Sequence, residues 1–199
     1  MAVDKRRALI IVDVQNDFCP GGSLAVERGD EVVEPLNKLA RQFLARGDLV
    51  VKSRDWHPAE TKHFAAYGGT WPIHCVRGTR GAEFHPHLIE DPRITVVSKD
   101  KMDIDEYSAF DQTELEALLR QHGVDEVWVG GLATDYCVKH TALDAARLGF
   151  KVKAVADAMR AVELKPGDGQ RALEEMRRAG VEIVNTGMSD EARAMSKRV

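Results

Sequence analysis

Three cysteines in 199 residues are too few and too irregularly placed for a disulfide framework; Cys19, Cys75 and Cys137 read instead as reduced thiols. No apolar run approaches the length of a membrane span, so a membrane partner is not expected. Charge of one sign is lacking as well. The net charge is −4 with both signs interspersed along the chain, which leaves no basic or acidic footprint for nucleic acid or a membrane surface. Met1 to Arg7 lacks the apolar stretch of a signal peptide, so the expected address is cytoplasmic. There is no internal repeat and no low-complexity segment. What remains, 44% hydrophobic and 30% charged residues, suits one soluble globular domain over residues 1–199 with its core from about residue 8 to 186.

Ala8 to Val12 is continuously apolar and rich in β-branched residues, as a parallel strand covered on both faces should be, and it ends at Asp13. A helix is expected from Asp30, a candidate N-cap, with Val33, Leu36, Leu39, Ala40, Phe43 and Leu44 on one face and Gly47 as its stop. Leu49 to Ser53 reads as a second strand running into Arg54-Asp55, and Ile94 to Ser98 as a third running into Lys99. Between them, Trp56 to Pro92 is rich in Gly, Pro, His and aromatics and has no period; a connection that long inside a compact domain is more often functional than idle. Thr113-Glu114-Leu115-Glu116 has capping-box spacing and opens a short helix closed by Gly123. Val127 to Val129 reads as a buried strand, Gly130-Gly131 as a tight turn, and the residues up to Gly149 as a helix with Cys137 in its first turn. Val152 to Ala156, a helix around Gly169 to Ala179, a strand Val181 to Val184 and a short terminal helix from Ser189 complete the order. This alternation predicts a three-layer α/β/α fold around a mainly parallel sheet.

Parallel strands joined by right-handed crossovers bring their carboxyl ends to one edge. Asp13, Asp55, Lys99 and the segment carrying Cys137 each follow an apolar strand, so all four should meet there. A thiol near unpaired N–H groups and the positive end of a helix dipole is expected to favour the thiolate. A carboxylate at Asp13 could take its proton and an ammonium at Lys99 could support both; the alternative is a structural Asp–Lys ion pair beside an inert, space-filling cysteine. Asp55-Trp56-His57 puts two potential ligands on one side of an extended loop, with His63 and His74 downstream. His57, His63, His74, His85 and His87 account for five of the seven histidines, a concentration that favours a metal site. His85, His87, His122 and His140 read as surface residues. Phe18, Trp71 and Tyr107 fall in loops at the same edge, where they could enclose a flat ring or simply hold long loops down.

Ile11-Val12-Asp13-Val14-Gln15-Asn16-Asp17-Phe18, Arg54-Asp55-Trp56-His57-Pro58, Thr70-Trp71-Pro72-Ile73-His74-Cys75, Gly81-Ala82-Glu83-Phe84-His85-Pro86, Tyr107-Ser108-Ala109-Phe110 and Gly131-Leu132-Ala133-Thr134-Asp135-Tyr136-Cys137-Val138 follow one another in a familiar order and spacing. In these segments, which extend from about Ala8 to Val184, the chain resembles the nicotinamidase/pyrazinamidase group of the isochorismatase-like cysteine hydrolases. The resemblance implies that Cys137 attacks the carboxamide of nicotinamide, with Asp13 as proton acceptor and Lys99 in support; Lys101 lies near enough to be an alternative. It implies an oxyanion hole from the N–H groups of Ala133 and Cys137 beside a cis Leu132–Ala133 peptide. It further implies a pocket of Phe18, Trp71, Tyr107 and Leu132, and one divalent metal ion, zinc or else iron or manganese, on Asp55, His57 and His74, with His63 as a further ligand. Position 136 carries little weight.

The expected activity is hydrolysis of nicotinamide to nicotinate and ammonia in NAD salvage, with pyrazinamide as a further substrate and a homo-oligomer as one possible assembly. Two alternatives stand beside it. A cysteine amidase for an N-carbamoyl compound is disfavoured by the metal set and the Trp71-Pro72-Ile73-His74 segment. A non-catalytic metal or thiol protein would have no use for Asp13, Lys99 and Cys137 together.

Overall fold

The computed structural model describes residues 6–99 and 107–187. Lys101 and the helix expected from Ser189 lie outside them. Six strands form one sheet: β1 (Arg7–Val12), β2 (Leu49–Asp55), β3 (Thr95–Lys99), β4 (Glu126–Leu132), β5 (Lys151–Arg160) and β6 (Glu182–Val184). Their order is β3-β2-β1-β4-β5-β6, and every neighbouring pair is parallel.

Alternation along β1 divides the core. Leu9 and Ile11 enter one apolar cluster with Leu36, Leu39, Ala40 and Phe43 of α1 (Val33–Ala45). Ala8, Ile10 and Val12 enter a second on the opposite face. There they meet Leu115 and Leu119 of α2 (Leu115–Gln121), Ala142 and Ala145 of α3 (Lys139–Arg147) and Met176 of α4 (Asp168–Arg178). The result is the expected three-layer α/β/α arrangement, with a sheet that is wholly parallel.

Local details differ from the sequence reading. Gly130-Gly131 is no turn: β4 continues through both glycines to Leu132. Gly131 has φ +131°, and a side-chain carbon there would collide with the carbonyl oxygen of Val12. The glycine lets two strands approach, which a single segment cannot reveal. Asp30 does not cap α1; it sits in a 3₁₀ turn, Gly29–Val32, and α1 follows without a side-chain cap. Thr113 accepts the N–H of Leu115 at 3.2 Å and donates to Ala109 O at 2.6 Å, so it shapes the entry to α2 from just outside the helix. The stretch from Trp56 to Pro92 is tied down by isolated bridges, His57 with Val76 and Phe64 with Trp71, and by two 3₁₀ turns. Among the described residues no helix is long and apolar enough to cross a membrane.

The chain steps from β1 outward to β2 and β3, then returns to the other side of β1 with β4. The sheet therefore changes direction between β1 and β4. Crevices beyond the carboxyl ends of strands at such a point are where α/β folds bind ligands.

Candidate active site

At that crevice the three strand-end residues and the cysteine converge. Lys99 Nζ lies 2.5 Å from Asp13 Oδ2, 2.6 Å from Asp55 Oδ1 and 3.5 Å from Cys137 Sγ, and it donates to Tyr107 O at 3.2 Å. Asp13 has a left-handed backbone, φ +48°, a conformation that non-glycine residues keep mainly where the surroundings impose it. Its Oδ1 accepts the Ser53 hydroxyl at 2.7 Å and its N–H donates to Ser53 O. Cys137 belongs to a π-helical turn, Thr134–Val138, that leads into α3, not to the first α-helical turn expected. Ala133 O accepts the N–H groups of Tyr136 and Val138, and the Leu132–Ala133 peptide is cis.

Burial governs the protonation states. It pushes the Asp13 carboxyl above the usual range, with Asp55 adding to the rise and Lys99 opposing it. For Asp55, burial also acts upward, but Lys99 and the His57 and His74 rings outweigh it and hold the carboxyl well below that range. Burial acts to lower the Lys99 pKa, but Asp13, Asp55 and Cys137 outweigh it and hold that pKa well above the ordinary value. Burial drives the Cys137 thiol well up, with Lys99 opposing and Asp13 and Asp55 adding to it. The expectation of a resting thiolate is thus corrected. A dipole at one turn acts against full desolvation and two carboxylates, and the cysteine rests as a thiol beside a base.

The histidines form the adjoining wall. Ring nitrogens of His57, His63 and His74, all buried, lie within 4.8 Å of one another. Asp55 Oδ2 is 3.6 Å from His57 Nε2 and 3.8 Å from His74 Nε2, too far for hydrogen bonds and well placed for a shared ion. Among the described residues neither ring nitrogen of the fully buried His57 finds a hydrogen-bond partner, a costly arrangement unless something binds there. His74 Nδ1 lies 2.7 Å from Pro72 O, which fits the tautomer that leaves Nε2 free to ligate. The donor set therefore fits a divalent transition metal. His87 and His122 are exposed as expected, whereas His85 is half-buried beside His87 and His140 half-buried against the Tyr107 ring at 5.3 Å.

Phe18, Trp71 and Tyr107 line one cavity with Asp55, His63, His74, Ala133 and Cys137; with its open mouth it encloses about 420 Å³. Trp71 Nε1 donates to Tyr107 Oη at 3.0 Å, which fixes both rings. The expected pocket residue Leu132 is not in this wall. As the last residue of β4 its side chain is fully buried in the core, and the next residue, Ala133, faces the cavity instead. Leu24, Tyr136 and Val162 complete the wall and escaped the sequence reading. Position 136, given little weight, sets its ring edge-on to Trp71 at 5.0 Å. Ser53 was legible in principle: it lies two residues before Asp55 on a buried strand, hence on the same face.

The comparisons agree with this geometry. A family model described as the isochorismatase domain matches residues 7–188. The chain is 42% identical over 199 residues to a nicotinamidase of Escherichia coli (strain K12), covering 89% of this chain and 93% of that one. It is 44% identical over 186 residues to a nicotinamidase/pyrazinamidase of Mycobacterium tuberculosis, covering 89% and 98%. The crystal structure of the pyrazinamidase of Pyrococcus horikoshii in complex with zinc superposes with a TM-score of 0.85 at 44% identity, covering 90% and 99%. The chain belongs to the isochorismatase-domain family, beside its nicotinamidase and pyrazinamidase members.

Proposed function

We propose that this chain hydrolyses nicotinamide to nicotinate and ammonia through a thioester on Cys137, accepts pyrazinamide by the same route, and serves NAD salvage. One observation carries the reading: the thiol, Asp55, His63, His74 and three aromatic rings all line one cavity, so a single flat heteroaromatic amide can meet all of them at once. The relatives named for these two amides support it.

In this mechanism Asp13 takes the Cys137 proton as Sγ bonds to the carboxamide carbon. Lys99 stays protonated and balances the two carboxylates. The N–H groups of Ala133 and Cys137 receive the carbonyl oxygen as it gains charge. The proton on Asp13 passes to the amide nitrogen, the C–N bond breaks and ammonia leaves, with the acyl group held on sulfur. Water then attacks the thioester carbon and gives a proton to Asp13. The C–S bond breaks, Asp13 returns the proton to sulfur, and the acid product is released. Phe18, Trp71 and Tyr107 hold the ring flat throughout. A divalent ion on Asp55, His57, His74 and His63, zinc as in the Pyrococcus relative or else iron or manganese, would fix the ring through its nitrogen and leave the acyl chemistry to the cysteine.

Ammonia release from nicotinamide by metal-replete protein, before and after chelation, tests the activity. No release would move the assignment to another amide. His57→Ala should carry only a fraction of the wild-type metal and show a raised KM; unchanged stoichiometry by elemental analysis would remove His57 from the ligand set.

The base must be ionised to act. Because Asp13 titrates above the ordinary aspartate value of about 3.9, kcat/KM should hold at higher pH and fall as pH drops through that raised value. The acid limb of the pH profile should therefore lie above the ordinary aspartate position. A limb at or below that position would exclude Asp13 as the base.

A further inference from the structure

Gln15 takes no part in the steps above, yet it is fully buried, and both polar ends of its side chain are engaged. Its Nε2 donates to Asp55 O at 2.8 Å and to Ala82 O at 2.9 Å, and its Oε1 accepts the Asp55 N–H at 2.8 Å. One side chain thus holds both backbone groups of a single residue forty positions away. Burying an amide is tolerated only when it is satisfied this fully, and the bonds converge on the residue where the two halves of the site join. Asp55 presents Oδ1 to Lys99 at 2.6 Å and Oδ2 toward His57 and His74. A rotation of its backbone would improve one of these contacts only by spoiling the other.

The same segment steadies the second half of the ligand set. Asp17 Oδ2 accepts the N–H of Cys75, the residue after His74, at 2.7 Å. Gly81 leaves room for that carboxylate, since any side-chain carbon at position 81 would collide with it.

We propose that Gln15 is a positioning residue: by clamping the backbone of Asp55 it aims the two carboxylate oxygens in their two directions, and so sets the affinity of the site for its metal. The proposal rests on the metal reading given above. Supporting partners of metal ligands are commonly worth about 10–100-fold in affinity.

The test is zinc binding to the purified full chain, measured by competition with a chromophoric chelator, with thermal unfolding of the metal-free proteins alongside. Gln15→Met removes every hydrogen bond at similar volume and should weaken zinc by about 10–100-fold. Gln15→Glu keeps an acceptor for the Asp55 N–H and should lose several-fold, less than Gln15→Met. A Gln15→Met protein that melts earlier but binds zinc like wild type would overturn the proposal and make Gln15 a strut of the fold. If Gln15→Met does not fold, Gln15→Glu decides: weakened zinc supports the proposal and wild-type affinity overturns it. His57→Ala separates the two readings, because zinc binding undiminished in that variant would overturn the metal site itself.

Discussion

Replacing Cys137 by alanine should lower nicotinamide turnover by a factor on the order of 10⁴–10⁶, the usual consequence of deleting a covalent nucleophile. The fold should hardly notice. The change removes one sulfur from a buried residue where the second apolar cluster meets the cavity, and it gives up the 3.5 Å approach of Lys99 and the nearness to Asp13 and Asp55 while the Cβ keeps its place. Lys99 keeps its ion pairs with Asp13 and Asp55, and the histidine set is untouched. Ammonia release, metal content and melting temperature, measured on one preparation, should therefore separate cleanly: the first lost, the other two retained. Full activity in a metal-replete Cys137→Ala protein would end the thioester mechanism. Loss of metal along with activity would mean that the cysteine belongs with the ligands, consistent with how closely its sulfur sits to Asp13 and Asp55.

The reach of the sequence follows the same division between local and long-range causes. Ala8 to Val12 could be read as a doubly covered strand from its own residues, and strand-end placement of Asp13, Asp55 and Lys99 then followed from the geometry of parallel sheets. Polar residues at such ends stand out against their apolar strands. Leu24 and Val162 do not, since an apolar residue in a loop looks the same whether it faces a ligand or the core. The Gly130-Gly131 pair looks like a turn in the sequence because its reason lies across the sheet at Val12, and Asp30 looks like a cap because nothing local announces the 3₁₀ turn that precedes α1. The resting state of Cys137 is hidden from the sequence for a related reason. A helix dipole can be inferred from one segment, but the desolvation that overrides it comes from the closure of the whole crevice.

Lys99→Met should damage stability and activity together, where Cys137→Ala strikes activity alone. The ammonium is fully buried and is the cation that faces Asp13 and Asp55 together. Removing one partner of a buried ionic group leaves uncompensated charge, at a cost of about 3–5 kcal/mol. For a chain of this size that corresponds to a melting temperature lower by roughly 6–20 °C. Because the folded pKa of Lys99 is raised, its contribution in the wild type is complete below the unfolded value of about 10.4 and fades only as pH climbs through the folded one. The deficit in the mutant should therefore be full at neutral pH. Without the ammonium, Asp13 and Asp55 relieve their repulsion by sharing a proton, and a protonated Asp13 cannot accept another from Cys137; turnover should fall by about 10²–10⁴, the usual worth of a general base. The double variant Lys99→Met/Asp13→Asn tells charge balance from packing. It removes one of the two carboxylates and returns the cluster to its wild-type net charge, so it should recover part of the lost stability with no recovery of activity, a coupling expected between groups in contact. A double variant no more stable than Lys99→Met would show that the lysine supports the crevice by filling space, and that the carboxylates never depended on its charge.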